Sequence, residues 1–260
     1  MNSILKKIIQ KICYNNVTSK LMYVYNNPDQ SNRDKWIIEK LQNLENNTSI
    51  LDCGAGPMPY KQYCHHLRYK SQDFCEYKGK VSAAGGGKDG LLNENWNTSG
   101  IDIVSDIISI PVVDSSFDSI LCSEVFEHIP YPIKAIEEFS RILKPNGKLI
   151  LTAPFCCLAH QTPYFYYTGY SVFWYKKILE DSNFKILEMS SNGNYFDSIL
   201  QEVQRLKFCY KEYCSSSDIV FPTKSIAEVS KFLEKCSSNQ KNSEYLSCFG
   251  WHILAQKKDS

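Results

Sequence analysis

Residues 49–56 read Ser49-Ile-Leu-Asp-Cys-Gly-Ala-Gly56. A short apolar run that closes on an acid and then Gly-x-Gly is the pattern of a buried strand turning at once into a ligand-facing loop. Two glycines let a ligand approach bare backbone at the carboxyl edge of a sheet. The dinucleotide fingerprint wants a third glycine at position 59, and this chain has Pro59. Asp52 beside the glycines would also repel a pyrophosphate and would suit a cationic group or an ammonium. Asp73 lies nineteen residues beyond Gly54, a separation at which an acid at the next strand end accepts both ribose hydroxyl protons. A surface aspartate at a strand end is the plainer reading of Asp73.

Working outward, Trp36, Ile37, Lys40, Leu41 and Leu44 have amphipathic spacing, which predicts a helix over 32–46 capped by Ser31 or Asn32. Pro57 and Pro59 suit the first turn of a new helix, which would carry His65 and His66 on its surface. Strands are expected over 69–74, 101–107, 119–123 and 148–153, with a glycine-rich surface loop over 78–100. Ile133, Ile136, Phe139, Ile142 and Leu143 define one face of a helix over 132–143, stopped by Lys144-Pro-Asn-Gly147. Beyond Pro154 come a dense run of aromatics over 155–175, a helix over 169–182 and a strand over 185–189. A mainly helical stretch over 195–237, broken at Ser215-Ser-Ser217, and a last strand over 249–256 follow, with His252 as a structural residue of that strand. Strands alternating with helices imply an α/β fold with a mostly parallel sheet. With 260 residues, one domain is expected: N-terminal helices over 1–48, a ligand-binding core over 49–155, an aromatic and helical region over 156–248, and the final strand over 249–257.

Composition narrows the classes. Lys and Arg total 29 against 28 Asp and Glu, so no phosphate-neutralising surface is implied and no nucleic-acid partner is expected. No run approaches the roughly 18 apolar residues of a membrane span, and the mean hydropathy is −0.33. Ile4, Leu5, Ile8, Ile9 and Ile12 follow helical spacing with lysines between them. That is a helix packed on the domain or, as the rival, one lying on a membrane surface. The eleven cysteines are scattered, without CxxC pairs or zinc spacing. They imply reduced thiols in a cytoplasmic compartment, no disulfide framework and no metal.

Four stretches taken together carry a resemblance: Ile50-Leu-Asp-Cys-Gly-Ala-Gly56; Asp106 with Ile110-Pro-Val-Val-Asp-Ser-Ser-Phe-Asp118; Cys122-Ser-Glu-Val-Phe-Glu-His128; and Phe139-Ser-Arg-Ile-Leu-Lys-Pro-Asn-Gly147. In order and spacing they resemble class I S-adenosylmethionine-dependent methyltransferases of the small-molecule type. Trp36 and Phe249-Gly-Trp-His-Ile-Leu-Ala255 extend the likeness to the ends. The resemblance implies a Rossmann-like three-layer sandwich with a seven-stranded sheet whose last strand is antiparallel. It implies S-adenosyl-L-methionine over Asp52, Gly54 and Gly56, its ribose on Asp73, its adenine near Asp106 and Ile107, and its methionine part beside Ser123. Pro57-Met-Pro59 departs from the family, where a further glycine is common. The stretch Ala159-His-Gln-Thr-Pro-Tyr-Phe-Tyr-Tyr-Thr-Gly169 looks like a subgroup associated with surface-polysaccharide and related small-molecule biosynthesis.

Such a cofactor carries an activated methyl, so the protein must align an acceptor and remove a proton from a hydroxyl. His128 and His160 fall on the expected rim and are the candidate bases, each with a capping or structural role as its rival. Tyr164 and Tyr167 are expected in the acceptor wall. The reading is methylation of oxygen or nitrogen on a small polar acceptor such as a sugar nucleotide or a capsule or lipopolysaccharide precursor, with a homo-oligomer left open. Its rivals are a nicotinamide-dependent oxidoreductase and a non-catalytic cofactor binder.

Overall fold

The computed structural model describes residues 28–77, 96–214 and 219–259. The helix expected near residues 4–12, most of the glycine-rich loop and the break at 215–217 lie outside them. The strands are β1 (Ser49–Cys53), β2 (Arg68–Asp73), β3 (Ile103–Val104), β4 (Phe117–Ser123), β5 (Leu143–Pro154), β6 (Phe184–Asn192) and β7 (Gly250–Lys257). They form one sheet in the order β3-β2-β1-β4-β5-β7-β6. Only β7 runs antiparallel to its neighbours, β5 and β6. Helices α1 (Pro28–Gln42), α2 (Pro132–Ile142), α3 (Val172–Asp181), α4 (Tyr195–Tyr213) and α5 (Thr223–Ser238) complete the α/β sandwich.

All five residues of β1 are buried, and alternation sends them to two different cores. Leu51 and Cys53 join Ile120, Leu149, Leu151 and the α2 side chains Ile136, Phe139 and Ile142 on one face. Ile50 joins Leu121, Ile150 and the α1 side chains Trp36, Ile37 and Leu41 on the other. A strand covered on both sides reads as a continuous apolar run for this reason, and the residue of β1 that breaks that run is Asp52. The carboxyl ends of β1 to β5 therefore lie along one rim, where open α/β sheets hold ligands.

Four local expectations need correction. No helix follows the glycine loop, only a 3-10 turn at Lys61–Tyr63. Met58 sits at φ 56° between Pro57 and Pro59, and a residue before proline is driven from the helical region. His65 is exposed and His66 half-buried on the loop that results. β3 shrinks to two residues because Asp106 Oδ1 accepts from the Ile108 amide at 3.1 Å, a local turn that competes with the ladder. Ser31 and Asn32 lie inside α1 rather than capping it. β5 starts at Leu143, with a register shift opposite Phe117 and Ser119 absorbing the Lys144–Gly147 stretch.

Candidate active site

The rim is the floor of a cleft of about 1290 Å³. Over β1 and β2 the floor is backbone. Gly54 and Gly56 have φ of 68° and 49°, a region open to glycine at little cost. A Cβ on Gly54 would lie 2.5 Å from Val125, and one on Gly56 would lie 2.6 Å from Trp96. Asp73, 5% exposed at the end of β2, ties this loop down: its Oδ2 accepts from the Gly56 amide at 2.9 Å and its Oδ1 from the Cys75 amide at 2.7 Å. Asp73, Asp106, Ile107 and Ser123 all line the cleft.

Asp52 does not. It is 3% exposed, lies behind the loop rather than in the cleft lining, and accepts from the Tyr69 hydroxyl at 2.7 Å. Burial pushes its carboxyl up to about 7, and the nearby Asp73 charge adds to that rise while the Tyr69 hydrogen bond opposes it. Asp52 is thus a structural acid under the loop and not the cation-attracting group its place in the sequence implied.

Beyond β4 the character changes. Glu124, at φ 53°, turns the chain off the strand, and Phe126–His128 form a 3-10 turn. Glu124 Oε1 accepts from Thr152 at 3.0 Å, Thr152 bonds Ser123 at 2.9 Å, and Glu124 Oε2 pairs with Arg33 at 3.1 Å. Arg33, 15% exposed in its side chain, also meets Asp29 at 3.3 Å. Burial drives the carboxyls of Glu124 and Glu127 upward, and the Arg33 charge moderates both.

The loop after β5 is stapled onto this turn. The Tyr166 amide donates to the Glu127 carbonyl at 2.8 Å, and the Tyr170 hydroxyl to the Phe126 carbonyl at 2.7 Å. His160 thereby meets His128 edge-on, ring centroids 4.6 Å apart, so the two candidate bases share one place. Tyr164 lines the cleft and its hydroxyl donates to Glu76 at 3.2 Å. Tyr167 does not line it: its hydroxyl is spent on the Pro130 carbonyl at 3.0 Å, and Tyr166 takes its place. His252 is structural as expected, stacked on Trp36 at 5.0 Å and held down to about 4 by burial and the Arg33 charge.

Residue-by-residue reading missed Asp29, Arg33, Glu124 and Glu127 on this side, and Gln201, Glu202 and Arg205 of α4, which also line the cleft. Asp29 and Arg33 are spaced four apart, a spacing shared with ordinary solvated ion pairs on helices. The two glutamates were visible only as part of the Glu-x-x-Glu-His stretch.

On fold and site together, this is a protein with a cleft floored by a glycine loop beside a cluster of acids and imidazoles. Residues 51–151 match the methyltransferase domain family. An uncharacterized protein of Methanocaldococcus jannaschii is 47% identical over 49 residues, 19% of this chain and 21% of that protein. A ubiquinone biosynthesis O-methyltransferase of Xanthomonas oryzae pv. oryzae is 49% identical over 37 residues, 14% of this chain and 16% of that protein. The matched stretches thus span about a fifth of those curated relatives or less. Among solved structures, a Bacillus halodurans protein thought to be a methyltransferase covers 88% of this chain and 100% of its own, with TM-score 0.51 and 17% identity. The [4+2]-cyclase SpnF covers 89% of this chain and 81% of its own, with TM-score 0.51 and 16% identity. At such identities these two likenesses show the fold. The matched residues run from β1 to β5, the strands whose ends carry the cleft. No helix among the described residues is long and apolar enough to cross a membrane.

Proposed function

We propose that the chain transfers a methyl group from S-adenosyl-L-methionine to an oxygen or nitrogen of a small polar acceptor. The observation that carries this is the Asp73–Gly56 clamp: a carboxylate at the end of β2 held by the amide of a loop that tolerates no side chain, facing a cleft with imidazoles at its other end. The residues fit the cofactor. Gly54 and Gly56 leave bare backbone where a Cβ would collide, Asp73 offers acceptors to ribose hydroxyls, Asp106 and Ile107 offer an acceptor and an apolar face to adenine, and Ser123 flanks the methionine part. The cofactor supplies a sulfonium-activated methyl.

What remains for this chain is alignment and proton handling. His128 and His160 stand where an acceptor hydroxyl or amine would be met, and Tyr164 and Tyr166 give that end of the cleft apolar walls with hydroxyl handles. The Xanthomonas relative favours oxygen as the atom methylated, since its name is that of an O-methyltransferase. The loop 159–169 supports an acceptor drawn from surface-polysaccharide precursors such as sugar nucleotides. Calorimetry with S-adenosylhomocysteine and with NAD tests the reading. Micromolar binding of the first and none of the second is expected, and the reverse result overturns it.

A further inference from the structure

Glu127, His128 and His160 converge more tightly than two bases and a neighbour require. His128 Nε2 lies 3.5 Å and His160 Nε2 3.8 Å from the same oxygen, Glu127 Oε1, and one potential ligand atom from each residue lies within 4.8 Å of the others. The opposite ring nitrogens are both committed to backbone carbonyls: His128 Nδ1 to Tyr164 O at 2.6 Å and His160 Nδ1 to Leu158 O at 2.8 Å. A carbonyl only accepts, so in each neutral ring Nδ1 carries the proton and Nε2 the lone pair. That is how metal-binding histidines are usually oriented. Two imidazole nitrogens and a carboxylate oxygen then converge on one place, as the ligands of a cation do.

Glu127 supplies the second observation. Its side chain is 1% exposed, and its Oε2 is buried with no hydrogen-bond partner among the described residues. An unsatisfied buried carboxylate oxygen carries a desolvation penalty that a bound cation would offset. The spacing also suits a metal, because ligands about 2.1 Å from a tetrahedral ion stand about 3.4 Å apart. Glu124 is already held by Arg33 and Thr152, so the three ligands would leave positions open toward the cleft.

We infer that Glu127, His128 and His160 form a binding site for a divalent first-row transition ion, with its open coordination positions facing the acceptor end of the cleft. Two imidazoles and one carboxylate suit zinc, iron or cobalt better than magnesium or calcium. Resting on the methyltransferase reading, the ion's further ligand is an oxygen of the acceptor, a hydroxyl or one of a vicinal pair. This runs against the sequence expectation of no metal, which looked for cysteine ladders.

The test uses the untagged full chain, stripped with chelator and titrated with Co²⁺ by calorimetry and visible absorption. One equivalent should bind with d–d bands and without thiolate charge transfer, which excludes the cysteines. H160Q and E127Q should each weaken Co²⁺ binding by about tenfold or more while circular dichroism and S-adenosylhomocysteine affinity stay at the wild-type level, and H65Q, on the exposed loop, should change neither. H128Q replaces either variant if it fails to fold. No binding to the wild type, a thiolate spectrum, or affinity that survives both substitutions within that factor overturns the site and leaves a proton shared among the three groups instead. S-adenosylhomocysteine binding reports on the methyltransferase reading separately, so each idea can fail without the other.

Discussion

The two halves of the sheet's rim do different work by different means. Over β1 to β3 the cleft-facing groups are backbone and single carboxylates, placed by loop conformation: Gly54 and Gly56 at positive φ, with Asp73 bonded to the loop amides. Over β4 and β5 they are charged side chains brought together from distant segments: Arg33 from α1, Glu124 and Glu127 after β4, His160 after β5. The first half is pre-shaped and needs little charge balance. The second stores acids and a guanidinium in a partly buried space, where each depends on the others. Reactive groups are expected in the half where environment can tune them.

Removing a group from the second half should therefore hurt chemistry most. His160→Ala is expected to lower single-turnover rates by about 10²–10⁴-fold with S-adenosylhomocysteine affinity nearly unchanged. Normal turnover there, with His128→Ala inactive, would make the 155–170 loop a wall only and give the base to the turn after β4. Next in size, Arg33→Met strands Glu124 and Asp29 near one another without their cation. Both partners keep about a quarter of their side-chain surface, at 28% and 26%. Urea unfolding should therefore show a loss of roughly 2–4 kcal/mol, somewhat below the 3–5 of a fully buried broken pair. A loss under about 0.5 kcal/mol would class the pair with ordinary surface ion pairs.

The first half should respond through binding. Asp73→Ala removes an acceptor for the ribose and also frees the Gly56 amide, so S-adenosylhomocysteine should bind about ten- to a hundredfold more weakly, or roughly 1.5–3 kcal/mol. An unchanged affinity in a folded variant would mean that the ribose lies elsewhere in the cleft.

The same contrast explains what could be read before any coordinates. The mostly parallel sheet was legible because strand burial and helix amphipathicity are written at short range in Ile50-Leu51, in Ile136, Phe139 and Ile142, and in Trp251 to Ala255; the antiparallel direction of the last strand came only from the family resemblance, because an apolar run does not state which way it is inserted. The glycine loop and Asp73 were legible at short range as well: one turn, one strand, one spacing. Glu127 was not, because a glutamate in a sequence carries no sign of its burial, and Arg33 was not, because its partner Glu124 is contributed by another element. Asp52 and Tyr167 show the opposite error. Each sits in a motif that implied ligand contact, yet a hydrogen bond to Tyr69 or to the Pro130 carbonyl holds it outside the cleft. The helix expected after the loop failed on a short-range rule, since two prolines flanking Met58 block a helix more strongly than one proline starts it.

Asp52 gives the smallest effect and the sharpest division between the halves. Its carboxyl is held up near 7 in the folded chain against 3.8 for the ordinary group, so the folded state keeps a proton that the unfolded state has released. Stability linked to this group is full below about pH 4 and declines as pH rises toward 7, because the unfolded chain binds fewer protons over that window. Asp52→Asn, which keeps the shape and can still bond the Tyr69 hydroxyl, removes that dependence. The stability of the wild type relative to the variant should fall by about 1 kcal/mol between pH 5 and pH 6, just under the limit of one proton per molecule. Glu124 and Glu127 are present in both proteins and cancel in the difference. Urea unfolding of both chains across that range measures it. Parallel stability profiles would show that Asp52 is ionised in the folded chain, a buried charge carried beneath the loop.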